Sequence, residues 1–201
     1  MKKFLEKRLE KASADYYSGN PSMSDDEFDA LARAVNFKQV GTREGRVPHA
    51  YQMYSLQKIF KGEECPFASD DVIVTPKLDG SAISILYLEG ELERVLTRGD
   101  GKSGIDITDK FKKSKLIPQT IVIGHEITQV TGEIVAPKSV PNSRNYAAGS
   151  LNLKDIDEFL TRDLCFVAYG VEPQFSSTFH EDMEVLSDTL GFNTVTQSDW
   201  A

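Results

Sequence analysis

Lys77 stands two residues before Asp79, with Gly80 following, in the stretch "TPKLDGSAIS". An ammonium between the apolar runs "VIV" and "AISILYL" is either a paired lysine at a sheet edge or a nucleophile. A lysine attacks only as the neutral amine, so burial or nearby cations must depress its pKa. The flanking apolar runs are expected to form strands and to supply that desolvation. Asp79 falls on the same face at strand spacing and opposes the shift unless it binds something else, for which a sugar hydroxyl is suited. Gly80 lets backbone approach closely. Alone, K-x-D-G recurs by chance and specifies little.

Further polar residues sit in or beside apolar runs, each with a plainer reading next to the chemical one. Glu133 in "VTGEIVAP" suits a metal or a ribose hydroxyl, or it is an outward-facing strand residue. Arg98 in "LTRGDGKSG" enters a Gly-rich loop suited to a phosphate or nucleobase, or it is a solvated hairpin tip. Tyr169 in "FVAYGVE" can stack on a base or fill a core. Arg144 in "NSRNYAAGSLN" has small neighbours and can clamp a phosphate bidentately. Singly, the plain readings prevail; together along one chain they carry more.

The elements that must position these residues follow from pattern. Phe4, Leu5, Arg8, Leu9, Ala12 and Tyr16 recur at helical spacing. Ser24 with Glu27 forms a capping box that opens a second helix through Phe28, Leu31, Ala32 and Val35. "NFKQVGTREGRVPHA" has no period and reads as a linker. From about residue 70 strands take over: "DVIVTPKL", "AISILYL", "ELERVLT", "QVTGEIVAP" and "LCFVAYGVE", with a hairpin turn at Gly90. Thr178 with Glu181 caps a last helix that ends at Gly191. Strands with hairpins and interspersed helices argue an α+β fold with an antiparallel sheet.

The 201 residues suffice for one ordinary domain or a small element plus a domain, and no run is long enough to span a membrane. The amphipathic start lacks a signal-peptide core. Cys65 and Cys165 are the only cysteines, which suits a reducing cytosol and excludes a zinc site made by the pair. The net charge of −8 argues against a chain that grips nucleic acid alone. The one basic cluster, Lys110, Lys112, Lys113 and Lys115, reads equally as a solvated face.

In order and spacing, "HAYQMYSL", "KLDGSAISILY", "TRGDGKSGIDIT", "GEIVAP", "NSRNYAAGSL" and "FVAYGVE" resemble the adenylation domain of NAD-dependent DNA ligases. "DYYSGNPSMSDDEFDAL" is similar to that family's N-terminal helical element, which grips the nicotinamide mononucleotide half of NAD. The resemblance runs over nearly the whole chain. It implies a C-terminally incomplete, antiparallel-sheet nucleotidyltransferase domain of the ATP-grasp-like ligase type over residues 46–201, preceded by a short helical arm over 1–45. It implies NAD and Mg2+ as cofactors, nicked duplex DNA as substrate, and a part in DNA replication or repair. Lys77 would attack the adenylyl phosphorus, expel nicotinamide mononucleotide and become lysyl-AMP. Asp79 would be the motif's acid, Glu133 the ribose contact, and Arg98 and Arg144 the arginines around nucleotide and DNA phosphates. Ser55 and Leu56 would flank the adenosine and Tyr169 the base, while Tyr16, Asp25 and Asp29 would contact nicotinamide mononucleotide.

The departures from the family pattern are equally specific. Thr75 stands where Glu is usual, Tyr17 where His is usual, Phe28 where Tyr is usual, and Asn152 where Arg follows "GSL". The family's "DGVVVK" strand, a further lysine segment, the OB-fold, the zinc finger, the helix-hairpin-helix repeats and the BRCT domain have no counterpart. The expectation is a natural split, as in viral ligases, because "TVTQSDWA" interrupts no recognised strand. A second subunit would supply the remaining adenylation motifs and the OB-fold, in the cytoplasm (the host's, if the source is viral), without a membrane. Two other classes stay open: a non-catalytic NAD- or partner-binding module, and a nucleotidyltransferase using ATP or GTP on RNA.

Overall fold

The computed structural model describes residues 2–17, 22–35, 45–64, 66, 72–122 and 125–196. Helices α1 (Lys2–Tyr17) and α2 (Asp25–Val35) form the N-terminal arm. The capping box is present: the Ser24 N–H and hydroxyl both donate to the Glu27 carboxylate at 2.9 Å, and the Glu27 N–H returns to Ser24 Oγ at 3.3 Å. Leu5 and Leu9 of α1 pack with Ala30, Leu31, Ala34 and Val35 of α2. The same cluster contains Leu86, Leu88 and Ile127, so the arm lies on the sheet. An Arg8–Glu126 ion pair ties α1 to it as well.

Strand β1 (Arg46–Pro48) precedes the hairpin of β2 (Ser81–Leu88) and β3 (Glu91–Thr97). Glu89 and Gly90 both have positive φ, at 48° and 83°, which is the backbone of a tight primed turn. β4 (Ser103–Ile105) pairs antiparallel with β1, and the short helix α3 (Thr108–Lys113) follows. β5 (Ile127–Val135), α4 (Ser143–Leu151), α5 (Ile156–Leu160) and β6 (Cys165–Glu172) come next. The chain closes with α6 (Phe179–Glu184), a π-helical turn over Val185–Thr189, and β7 (Asn193–Thr194). Five strands form one sheet in the order β3-β2-β5-β6-β7, antiparallel throughout except for the parallel β6–β7 pair. This is the expected antiparallel α+β architecture. Thr178 caps α6 by accepting from the Glu181 N–H at 3.3 Å, and Gly191 follows the last turn at φ 77°.

β2 is buried on both sides. Ile83, Ile85 and Tyr87 enter the larger core, with Val130, Ile134, Phe166 and Phe192. The opposite face pairs Ala82 with Glu133, Ser84 with Thr131, Leu86 with Gln129 and Leu88 with Ile127 across β2 and β5. That face therefore passes from a polar end at Glu133 to an apolar end under the arm.

Two sequence expectations fail. "DVIVTPKL" is not a strand: residues 72–79 join no ladder and take no regular secondary structure, and Val74 is 92% exposed. The local pattern does favour β structure, but a strand exists only where a neighbour accepts its backbone hydrogen bonds. The expected linker also contains β1, held because Val47 pairs with Gly104; residues 36–44 of that linker lie outside the described residues.

Gly132 of β5 faces the Phe166 ring and the Val167 carbonyl, with which an added Cβ would collide. Gly132→Ala is expected to destabilise the fold by about 1–3 kcal/mol through overpacking, read as a lower denaturant midpoint at unchanged slope.

Candidate active site

Lys77 lines an open cleft of about 630 Å³ with Ser55, Leu56, Arg98, Glu133, Arg144 and Tyr169. Seven of the residues singled out in the sequence thus converge from six separate segments. Gly80 makes the convergence possible. A Cβ at Gly80 would strike the Ile134 carbonyl and come within 2.9 Å of Glu133 Cγ, so only glycine brings residues 77–80 this close to β5. Asp79 is outside the cleft lining and pairs with Arg144, Oδ1 to Nε at 3.6 Å, with both side chains largely in water. The helix α4 also reaches that segment through Ser143 Oγ, which donates to the Asp79 carbonyl at 3.3 Å. Thr75 is half-buried and is not part of the cleft wall.

The expected desolvation of Lys77 by its own segment is absent. Lys77 is exposed, because the segment that carries it has no strand on either side. Glu133 is instead the buried ionisable group of the cleft. Burial pushes its carboxyl above the usual range, opposed by the Lys77 charge, the Gly80 N–H and Arg144.

Tyr169 reaches the cleft through a β-bulge. On β6, Gly170 pairs with Thr131 and Ala168 with Gly132, so Tyr169 is the extra residue and its side chain is re-aimed. Burial pushes its phenol up to about 12, with the Glu133 carboxylate adding to the effect.

The loop that carries Arg98 is braced rather than solvated. The Arg98 N–H donates to the Ala82 carbonyl at 3.0 Å, and its guanidinium Nη2 donates to Ser55 Oγ at 2.7 Å. Asp100 Oδ1 accepts from the Lys102 and Ser103 N–H groups at 2.9 and 2.8 Å, closing the loop as an Asx turn. Gly99 and Gly101 supply the positive φ values the loop needs, 55° and 87°. His49, which residue-by-residue reading passed over, holds this loop in place. Its Nε2 donates to the Arg98 carbonyl at 3.0 Å and its Nδ1 accepts from Ser84 Oγ at 2.7 Å, while its own N–H donates to the Lys102 carbonyl at 3.0 Å. The sequence signal was a lone histidine between a strand-forming "RVP" and an alternating segment, too little to single it out.

A second cleft, about 740 Å³, opens between α2 and the segment after β1, lined by Asp26, Glu27, Arg33, His49, Tyr51, Tyr54, Lys102 and Glu172 among others. Arg33 fixes its edge by donating from Nε to the Ala50 carbonyl at 2.9 Å. Asp29 is exposed on α2, 3.9 Å from Arg33 in an i,i+4 pair, and lines neither cleft. The side chains of Tyr16, Tyr17 and Asp25 lie outside the described residues.

Residues 43–140 match the model of the NAD-dependent DNA ligase adenylation domain. These residues belong to that family. Among its relatives, the DNA ligase of Acinetobacter baylyi is 31% identical over 233 aligned positions, covering 89% of this chain and 34% of that protein. The DNA ligase of Campylobacter concisus is 29% identical over 227 positions, covering 90% and 34%. DNA ligase 2 of Streptomyces coelicolor is 30% identical over 204 positions, covering 80% and 29%. The chain spans about a third of the length of these relatives. The matched stretch contains β1, the Arg98 loop, Lys77 and Glu133, while Arg144 and Tyr169 lie beyond it.

A resident magnesium is a poor fit to the Lys77 cleft. Among the described residues no group of three or more His, Cys, Asp or Glu converges. Glu133 is the cleft's one carboxylate, already engaged by the Gly80 N–H, and Asp79 beside it is held by Arg144. No helix of the described residues is long and apolar enough to cross a membrane.

Two electrostatic predictions follow from the braces. Burial holds His49 below its ordinary 6.5, so its neutral form favours the folded state. That stability is present above pH 6.5 and is lost as pH falls through the folded-state pKa, because the unfolded chain takes up the proton first. His49→Gln should flatten the pH dependence of the melting temperature below pH 6.5, after any constant loss is subtracted. Lys77→Met, which removes a charge that holds Glu133 down, should raise the Glu133 carboxyl pKa further, seen by carbon-detected NMR titration.

Proposed function

We propose that this chain supplies the adenylate-accepting centre of an NAD-dependent DNA ligase. The observation that carries the reading is the gathering of Lys77, Glu133, Arg98, Arg144, Tyr169 and Ser55 on one cleft, within a chain whose residues 43–140 match that family's adenylation domain. The Lys77 amine, after losing its proton to solvent, attacks the adenylyl phosphorus. The new P–N bond replaces the P–O bond to the nicotinamide mononucleotide, which leaves with the second phosphate, and Lys77 holds AMP. Glu133 takes a ribose hydroxyl, Tyr169 lies against the base, and Ser55 and Leu56 flank the adenosine. Arg98, preorganised by Ser55 and His49, and Arg144 meet phosphate oxygens without reorganisation at the moment of transfer. The nicotinamide half of the dinucleotide runs toward the N-terminal arm that carries Tyr16, Tyr17, Asp25 and Asp29. Magnesium would arrive on the phosphates rather than on a resident site of the cleft.

Sealing of nicks requires more than this cleft. The reading includes a partner subunit that carries the remaining adenylation motifs, the OB-fold and the grip on nicked DNA, in replication or repair. Support comes from the apolar strip Val72, Ile73 and Val74, exposed on consecutive residues and ending three residues from Lys77. Such a run is covered on both faces in most folded proteins.

Incubation with NAD and magnesium should give the wild-type chain a slow mass gain of one AMP, mapped to the Lys77 peptide. Lys77→Ala should show none. An adduct on another residue, or an unchanged adduct in Lys77→Ala, removes Lys77 from the mechanism. NAD binding without any adduct would leave a binding module instead.

A further inference from the structure

Four cations line the Lys77 cleft, Lys58, Lys77, Arg98 and Arg144, against the single carboxylate of Glu133. The chain as a whole carries a net charge of −8, so this positive charge is a local feature. Three of the four are already committed. Arg98 donates to Ser55 Oγ at 2.7 Å, Arg144 lies 3.6 Å from the Asp79 carboxylate, and the Lys77 charge acts on Glu133. Lys77 must moreover give up its proton to attack, so it cannot balance a phosphate while acting as nucleophile. Lys58 is left. It is exposed, and among the described residues its side chain has no hydrogen bond or ion pair.

The main chain fixes the point from which Lys58 reaches. Before it, the Met53 N–H donates to the Gly101 carbonyl at 2.8 Å, and Ser55 is held by Arg98. After it, the Phe60 N–H donates to the Glu63 carboxylate at 2.8 Å, and the Glu63 N–H returns to the Phe60 carbonyl at 3.0 Å, closing a turn. Among the described residues the cleft offers no set of acids that would seat a metal, so charge developing on a transferred phosphate falls to its side-chain cations. We propose that Lys58 pairs with the phosphate of the adenylate, giving the charge compensation that a resident metal would otherwise give. A compact ammonium with three donors on a flexible stem suits a phosphate that shifts as its bond changes. This rests on the reading that the Lys77 cleft takes the adenylate.

Calorimetric titration of the full chain with adenosine and AMP, in magnesium and in EDTA, tests it. Lys58→Met should weaken AMP by about tenfold and leave adenosine within about twofold, while Lys58→Arg keeps AMP within about threefold of the wild type. Wild-type affinity for AMP should be the same in magnesium and in EDTA. Because Lys58 is exposed, circular dichroism of the variants should match the wild type. The assignment is overturned if Lys58→Met binds AMP as tightly as the wild type, if it loses adenosine and AMP equally, or if EDTA abolishes the preference for AMP. Wild-type chain that binds neither adenosine nor AMP would instead sink the adenylate reading itself, and this inference with it.

Discussion

Ile83, Ile85 and Tyr87 turn one side of β2 into the main core, while Ser84, Leu86 and Leu88 on its other side are buried too. Water has no access to the middle of this strand, so each outward residue must be matched by whatever lies above it. Leu86 and Leu88 are matched by the arm, each apolar side chain contributing about 1.5–3 kcal/mol on burial. Ser84 is matched by His49. Only at Ala82, opposite Glu133, does the cover stop, and there the cleft opens. The position of the site is thus a consequence of where the lid on β2 ends.

Residues 49–51, just after β1, form that lid. Tyr51 exchanges two hydrogen bonds with the Gln129 amide, at 3.0 and 2.8 Å, so the segment is stitched to the sheet face as an additional strand would be. His49 spans the same layer in the other direction, from Ser84 to the carbonyl of Arg98. A buried imidazole with both nitrogens engaged has one tautomer available and one ring orientation. Arg98 therefore starts from a fixed backbone, and its guanidinium from a fixed bond to Ser55. The arm, the lid and Arg98 are one mechanical unit.

Local pattern was enough to read β2, β3, β5, β6, both capping boxes and the turn at Gly90, because each is decided by side chains near in sequence. Lys77, Arg98, Glu133, Arg144 and Tyr169 were legible only as a set, since taken singly each plain reading prevailed, and Ser55 and Leu56 came in only with the family resemblance. Pairing was the illegible part. Val72–Val74 has the composition of a strand, yet whether it becomes one depends on a neighbour that composition does not reveal. The bulge that aims Tyr169 is likewise a register event between β5 and β6, without a glycine or proline at Tyr169 to announce it. His49 was missed for the same reason: its importance lies in Ser84 and Arg98, 35 and 49 residues away.

These pairing facts bear on how the lysine becomes reactive. A nucleophilic amine has to be neutral, and an exposed one beside a carboxylate is the opposite case. Lys77 is exposed and Glu133 is buried, so the cleft as it stands desolvates the acid rather than the base. Two things change that balance, and both cover Lys77 from outside. On the proposed reading, a bound nucleotide would fill the cleft and engage Glu133 through a hydroxyl, which would weaken its hold on the ammonium. A strand laid along Val72–Val74 removes water from the lysine's own segment. Lys58, Arg98 and Arg144 line the same cleft, and a nearby cation lowers an amine's pKa where a carboxylate raises it. On that reading reactivity would be coupled to occupancy: β2 and its lid assemble the residues in advance, and the amine would be released only when the open side of the cleft is covered.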